Sequence, residues 1–441
     1  MTGTETKHTP PQPRPPQERT SVRARPGPVT LANAMPWILG GLFLLAMPFI
    51  FQSNSAITIM NQMAITIIFA LSYNMLLGQG GMLSFGHAVY MGVGGFLCVH
   101  IMNWDDVFGL MPLPLLPVFG GLFGMGLALI VGSFSTRKAG TIFAMISLGV
   151  GELIAACSVI IVVFFGGEEG VSGDRTYGLP FFGVEFLHQT EVYYLTAVWL
   201  MISALLMYLF SRTPIGRMAN AVRDNPERAE FLGYSARWVR FYSFVAAGFF
   251  AGIAGGLFAI NYEILTEENL NLATSGQILL VTFLGGVGFF FGPILGAILF
   301  TLLQTVLSLQ TEIWQLYVGV LFVATVMYFP GGLAGVLMMH ALPLRLGRAG
   351  LLVRPYLKTL GPAVICALGA ATVMEILYHL RHAALGESEM TLFWVTFDSH
   401  SPLPLLIAVV ATLGGFWLAR RSAPAMAEAW HKANTPHGGA S

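Results

Sequence analysis

Between Asn74 and His87 the chain reads Asn74-Met-Leu-Leu-Gly-Gln-Gly-Gly-Met-Leu-Ser-Phe-Gly-His87, which sets the polar side chains of Asn74, Gln79, Ser84 and His87 among glycines between two apolar runs. Asn and Gln each offer a donor and an acceptor, and the free backbone ends of an interrupted helix add more. That chemistry suits a small polar solute. The same stretch also reads as a tight turn in which glycine serves close packing. Glu152 is a second candidate, a carboxylate inside the apolar run Thr141 to Phe165, where an unpaired charge is costly. It fits a proton or solute contact, or a tie to an Asn, Ser or His on a neighbouring helix. Ser84 and His87 form the only Ser/His pair that suggests hydrolysis, while Gly-x-Ser-x-Gly and His-Glu-x-x-His are both absent.

Further along, the loop Ser211 to Arg240 carries Arg223-Asp-Asn-Pro-Glu-Arg-Ala-Glu-Phe-Leu-Gly233, with Pro226 placed to open a short helix. An amphipathic helix is expected there, with a charged face that either docks a soluble partner or lies at lipid headgroups. Gly248, Gly252 and Gly256 recur every fourth residue, the spacing that lets two helix backbones approach closely in lipid. The segment Leu284-Gly-Gly-Val-Gly-Phe-Phe-Phe-Gly-Pro293 is a second glycine-rich interruption, and two such breaks suggest a pathway between them. No Lys follows a Gly, so the lysine of a phosphate-binding loop cannot be placed and this chain binds no ATP that way. Cys98, Cys157 and Cys366 lie in apolar runs, and neither a disulfide framework nor a metal site is expected.

The elements that must position these residues follow from composition. Of 441 residues, 55% are hydrophobic and 10% charged, against about 25% charged in ordinary soluble chains. The mean hydropathy is +0.70. So few charges cannot cover a water-facing surface, whereas a bilayer protein needs polar groups only at loops and internal pathways. The 22 basic and 22 acidic residues balance, so there is no basic field for nucleic acid. Residues 1 to 30 hold seven prolines and five Lys or Arg and read as a disordered cytoplasmic tail, not a cleaved signal.

Twelve apolar runs follow, judged against the roughly 20 residues that cross a bilayer. They are Ala32 to Phe51, Ala56 to Leu77, Phe85 to Met102, Leu113 to Phe134, Thr141 to Phe165, Val192 to Phe210, Phe241 to Tyr262, Leu270 to Gly286, Pro293 to Leu309, Ile313 to Phe329, Gly361 to Leu380 and Pro402 to Leu418. With both termini inside, 20 of the 22 Lys and Arg fall on the cytoplasmic side, all but Arg175 and Arg381. Carboxylates such as Asp105, Asp106, Glu168, Glu169, Glu263, Glu267 and Glu268 collect outside. The expected fold is an all-α polytopic membrane protein, with about ten core transmembrane helices in residues 31–340 and a two-helix hairpin and cytoplasmic tail in 341–441.

These motifs resemble the permease subunits of ATP-binding-cassette importers for branched-chain amino acids and related amides. The stretch Asn74 to Ala88 is similar to that family's N-L-L-x-G-x-x-G-x-x-S-x-G-H-A, and Ile146-Ser-Leu-Gly-Val-Gly-Glu152 to its T-L-G-x-G-E. The loop Ala221 to Gly233 resembles its A-x-R-D-N-x-x-A-A-E-x-x-G coupling element, with Arg228 where importer motifs commonly have Ala. Gly285 to Gly288, Gly292 to Ala297 and Pro330 to Gly335 also fit, so the resemblance runs over roughly residues 36 to 340 and leaves the C-terminal hairpin as an addition.

The resemblance implies a multi-pass subunit of the bacterial inner membrane that moves branched-chain or related neutral amino acids inward. Asn74, Gln79, Ser84, His87 and Glu152 are then pathway candidates. Arg223, Asp224, Asn225, Glu227, Ala229, Glu230 and Gly233 become the loop that couples to an ATPase. Implied partners are a second homologous permease, two cytoplasmic ATP-binding subunits that use the ATP, and an external solute-binding protein. No catalytic residue, cofactor or metal is expected on this chain. Urea or short-chain amides are the alternative cargo within the family, and an ion-driven secondary carrier is the alternative mechanism.

Overall fold

A computed structural model describes residues 31–329, 331–382, 389–392 and 395–434; the tail expected over residues 1 to 30 lies outside them. The helices are α1 (Leu31–Ile50), α2 (Asn54–Asn74), α3 (Ala88–Met102), α4 (Asp105–Phe108), α5 (Leu116–Ser135), α6 (Gly140–Ile160), α7 (Val162–Phe165), α8 (Gln189–Arg212) and α9 (Pro214–Asp224). They continue with α10 (Pro226–Phe231), α11 (Ala236–Tyr262), α12 (Leu272–Gly285), α13 (Gly292–Leu302), α14 (Trp314–Tyr328), α15 (Gly332–Arg345), α16 (Gly350–His382) and α17 (Pro402–Asn434). Met75–Gln79 extends α2 and Leu303–Leu307 extends α13, both as π-helical turns. The strands form two small antiparallel pairs, β1 (Val171–Ser172) with β2 (Ile264–Leu265), and β3 (Glu389–Leu392) with β4 (Val395–Asp398).

The chain divides into two units, Met1–Met47 and Pro48–Ser441. In the first, α1 exposes Met35, Ile38, Leu39 and Leu42. In the second, α11 is the axis, packed against α5, α3 and α2. Of its most apolar stretch 83% is buried, against 17% in α16 and 11% in α17, which pack on each other at the periphery. Small residues permit the close approach of α11 to α5. A Cβ on Gly256 would lie 2.9 Å from Pro117 Cα, one on Gly252 would collide with the Gly120 carbonyl, and one on Gly248 with Ala128. In lipid, where apolar burial drives nothing, such contact supplies the association energy by dispersion.

Among the described residues seven helices are long and apolar enough to span a membrane, and the α14 and α15 pair would make an eighth. Four of the expected runs form shorter apolar helices of 10–17 residues, at Ala34–Ile50, α3, α12 and Gly292–Leu307. The sequence reading has no counterpart for α15, because Pro330-Gly-Gly marks a boundary and the 14 residues beyond it are too few to span. Conversely, α16 and α17 each run 33 residues, about 50 Å, well past the roughly 30 Å of hydrocarbon. The carboxylates expected outside are partly structural. Glu263 holds the buried Arg175, with Nη1 to Oε2 at 3.8 Å, and accepts the Arg175 backbone N–H at 3.0 Å. Arg175 also donates to the carbonyls of Phe186 and Ile260, so it closes the end of α11 beside the β1–β2 pair. Arg175 is one of the two basic residues that the expected topology leaves outside the inner loops, and it has a structural partner.

Candidate functional site

Residues 80–87 leave helical geometry between α2 and α3, and their polar backbone atoms are satisfied by side chains from three helices. Phe85 N–H donates to Ser147 Oγ on α6 at 3.1 Å, Ala88 N–H to Ser275 Oγ on α12 at 3.0 Å, and the Tyr73 hydroxyl to the Ser84 carbonyl at 2.9 Å. Gly86 lets the chain lie against α6, where a Cβ would sit 3.2 Å from Gly151 Cα. From Met82 to His87 the break is therefore buried or half-buried in protein, the condition for irregular backbone at membrane depth, while Gly81 is exposed.

All four polar side chains singled out here are buried. Asn74 Nδ2 donates to the Phe289 carbonyl at 3.2 Å, and a Cβ on Gly78 would lie 2.5 Å from the Val287 carbonyl. The two glycine-rich interruptions thus meet. His87 stacks on Phe69 with ring centroids 5.4 Å apart, and its Nε2 lies 3.0 Å from Ser72 Oγ. Ser72 gives its single proton to the Phe69 carbonyl at 2.7 Å, so the network assigns the imidazole N–H to Nε2. His87 is therefore bonded to Ser72 and not to Ser84, and the nucleophile and base of a hydrolase are not assembled. Asn74 Oδ1, Gln79 Oε1, Ser84 Oγ and His87 Nδ1 have no hydrogen-bond partner among the described residues. Each such buried atom costs about 1–3 kcal/mol.

Glu152 faces the other way. The inner side of α6 carries Phe143, Ala144, Ser147 and Gly151, while Glu152 stands exposed on the outer side with Met145 and Leu153. No tie to an Asn, Ser or His holds it within the described residues of this chain.

The segment Thr213 to Gly233 forms two helices where one was expected. Thr213 caps α9 by accepting from Gly216 N–H at 3.2 Å, and Asn225 caps α10 by accepting from Arg228 N–H at 3.0 Å, each followed by proline at the first helical position. Ala219 and Val222 of α9 and Ala229 of α10 pack on Ala236 and Val239 at the start of α11. Ala229 is thus an internal packing contact, whereas Glu227 and Glu230 are exposed. Gly233 ends the hairpin at φ +86, a left-handed conformation that favours glycine. At the end of α10, Phe231 is 92% and the next residue, Leu232, 67% exposed. Arg223 pairs with Asp224 at 3.0 Å and reaches inward, its Nη1 donating to the Gly78 carbonyl in the π turn of α2. One path of contacts therefore runs from the α9–α10 hairpin through Gly78 and Asn74 to Phe289.

Two cavities lie elsewhere. One of about 190 Å³ is lined by Gln62, Thr66, Tyr262, Asn269, Thr274 and Gln277 among others, and one of about 470 Å³ by Asn271, Gln277, Gln304, Trp314 and neighbours. Neither is lined by Asn74, Gln79, Ser84, His87 or Glu152. Sequence reasoning passed over these amides, although Gln62 and Thr66 stand one turn apart on an apolar helix, the spacing of a polar stripe.

Residues 55–329 match the family described as branched-chain amino acid transport system, permease component, a stretch that takes in α3 to α14 and leaves out α16 and α17. The chain is similar to the high-affinity branched-chain amino acid transport system permease protein LivM of Escherichia coli (strain K12), at 27% identity over 317 residues, 67% of this chain and 74% of that one. It is equally similar, at 27% over 320 residues, to LivM of Salmonella typhimurium, with 66% and 74% covered. The autoinducer 2 import system permease protein LsrC of Klebsiella pneumoniae is 31% identical over 159 residues, 34% of this chain and 46% of that one. No solved structure matches the chain.

Proposed function

The chain belongs to the branched-chain amino acid transport permease family, and from that premise we propose that it is the membrane subunit of an ATP-driven importer of branched-chain or related neutral amino acids. It is a multi-pass membrane protein, a transport subunit and not an enzyme. The observation that carries the proposal is the α9–α10 hairpin, which exposes Phe231 and Leu232 beyond a packed base. Two large adjacent apolar side chains on a charged loop are costly in water and fit the groove of a soluble partner. That partner is a cytoplasmic ATP-binding subunit. Its closure on ATP would move the hairpin as a rigid body, and Arg223 would carry the movement to the π turn of α2. ATP shifts the access state only through differential affinity for the two conformations.

A second permease supplies the surface that Glu152 needs, since a carboxylate on the outer side of α6 is costly against lipid and tolerated against protein or a water-lined path. An external solute-binding protein delivers the solute to the side of the β1–β2 pair. The distribution of Lys and Arg supports an inner-membrane orientation with both termini cytoplasmic. Urea or short amides remain the alternative cargo. The chain is purified from its native membranes in mild detergent, co-purifying polypeptides are identified, and uptake is measured in proteoliposomes. Recovery with a second permease and ATPase subunits, with leucine uptake that requires ATP, is the expected result. Recovery alone, with uptake that follows an ion gradient and ignores ATP, would replace the reading by a secondary carrier.

A further inference from the structure

The cavity of about 190 Å³ brings amide groups together from distant parts of the sequence. Gln62 and Thr66 lie one turn apart on α2, Thr274 and Gln277 one turn apart on α12, and Gln304 arrives from the π-helical turn Leu303–Leu307. Single π-helical turns inside α-helices recur at functional sites, because the extra residue re-aims a side chain. Gln277 and Gln304 line both cavities, and Gln277 Nε2 lies 3.5 Å from Gln304 Oε1. That distance is long beside the usual ~2.9–3.0 Å, so the two amides form a partition whose bond is readily exchanged for one to a ligand. The position is equally specific. Tyr262 is the last residue of α11 and Asn269 lies in the segment that links it to α12, remote from Ala236, where α9 and α10 pack.

The lining chemistry selects a ligand class. No Asp, Glu, Lys, Arg or His lines the smaller cavity, so nothing there compensates the desolvation of a net charge. Each carboxamide presents an acceptor oxygen beside a donor NH2, a match for a solute that carries both an ammonium or amide donor and a carboxylate or carbonyl acceptor. Ile65, Phe69, Ile278 and Val281, on the same two helices, supply apolar lining beside the amides. A site of this size is smaller than the roughly 300–1,000 Å³ of drug-sized pockets. A lipid chain would leave the amides unpaired, which disfavours it as occupant.

We propose that the cavity between α2, α12 and the Leu303–Leu307 turn is a binding site inside this subunit for a small net-neutral solute with a hydrogen-bonding head and an aliphatic side chain. Gln277 and Gln304 then divide it from the larger cavity. The proposal rests on the importer reading for its physiological role, and its test separates the two.

In the assembled transporter with Cys157 and Cys366 replaced by Ser, Gln277→Cys and Gln304→Cys are treated with a charged methanethiosulfonate reagent that reacts with water-accessible thiols. Thr66→Cys reports on the same space from α2 should either variant fail to assemble. The thiols are expected to label, and L-leucine to slow labelling at least fivefold, with L-lysine and L-glutamate without effect. Thiols that do not label, or that label at one rate whatever solute is present, would overturn the site. Equal protection by the charged amino acids would overturn its neutral class. As a second readout, Gln277→Leu is expected to raise the KM for leucine uptake about tenfold at little changed kcat, with partial recovery in Gln277→Asn. Protection by leucine without ATP-dependent uptake would keep the site and sink the importer. ATP-dependent uptake with unreactive thiols would do the reverse.

Discussion

The middle and the C-terminal end of α2 carry polar side chains in opposite circumstances. Gln62 and Thr66 front a cavity, whereas Asn74, some 18 Å further along the axis, is locked to the Phe289 carbonyl in a crowded junction of two glycine-rich breaks. Both positions are intramembrane amides, and composition alone ranks them equally. Their difference lies in what faces them, backbone in one place and space in the other. An intramembrane polar residue therefore marks either a mechanical joint or a solute site, and only its surroundings decide which. Here the crowded end lies beside the α9–α10 hairpin and the hollow middle beside α12 and the Leu303–Leu307 turn, so force and solute would meet α2 at different points along its length.

The comparison can be broken by perturbing each place separately. The largest effect is expected at the hairpin itself. Gly233 sits at φ +86 and its N–H donates to the Glu230 carbonyl at 2.9 Å, whereas proline fixes φ near −65° and has no N–H. Gly233→Pro should remove uptake to background while membrane insertion, read by fractionation, is retained; normal uptake would detach the hairpin from coupling. Next in size is a matched pair. Gly78→Ala drives a methyl group toward Asn74 and the Val287 carbonyl and should cost about 1–3 kcal/mol, seen as a severalfold fall in abundance of the assembled protein. Gly276→Ala, at a cavity wall with nothing within 4 Å of the new Cβ, should leave abundance unchanged. Equal losses would erase the distinction between the packed junction and the cavity walls.

Smaller again is Arg223→Gln, which removes a partly exposed charged hydrogen bond to the Gly78 carbonyl. A fewfold drop in leucine transported per ATP hydrolysed is expected, with ATPase activity retained; an unchanged ratio would remove Arg223 from the path. The mildest is Glu152→Gln. Because Glu152 has no tie within the described residues, abundance of this chain alone should hold while co-purification of the second permease weakens. Unchanged recovery together with altered uptake kinetics would move Glu152 from the interface to the pathway.

Local chemistry made some of this readable in advance. Asn225 followed by Pro226 announces a helix start, and α10 begins there with the Asn225 side chain as its cap. The glycines every fourth residue on α11 mark a close contact, but not that its partner is Gly120 and Gly124 of α5. Periodicity says which face of a helix is special and is silent on which helix meets it. The Asn74–Phe289 bond joins residues 215 positions apart, and the cavity gathers Gln62 and Gln304 from opposite halves of the chain. Such pairings depend on how the bundle assembles. Glu152 illustrates the converse limit, since its position in an apolar run is visible but its outward direction is set by Gly151 packing against Gly86. The C-terminal hairpin is readable as two apolar helices. Its attachment is not, because Glu375 of α16 meets the Tyr317 hydroxyl of α14 at 2.7 Å through a pairing no motif records.

The π-helical turns at Met75–Gln79 and Leu303–Leu307 have a consequence for the lengths this chain can adopt. A π turn holds one residue more than an α turn, so each is an insertion that the helix has absorbed without breaking. Deleting a single residue from Leu303–Leu307 would let the segment relax to regular α-helix with the helix beyond it nearly in place, because four residues of α-helix cover about the rotation and rise of the five in the π turn, and only the side chains within the turn would be re-aimed. Gln304 would then leave the partition it shares with Gln277 although every amide in the cavity was still encoded. Among relatives, a gap or an extra residue at these two places would report a change of function more directly than any substitution beside them.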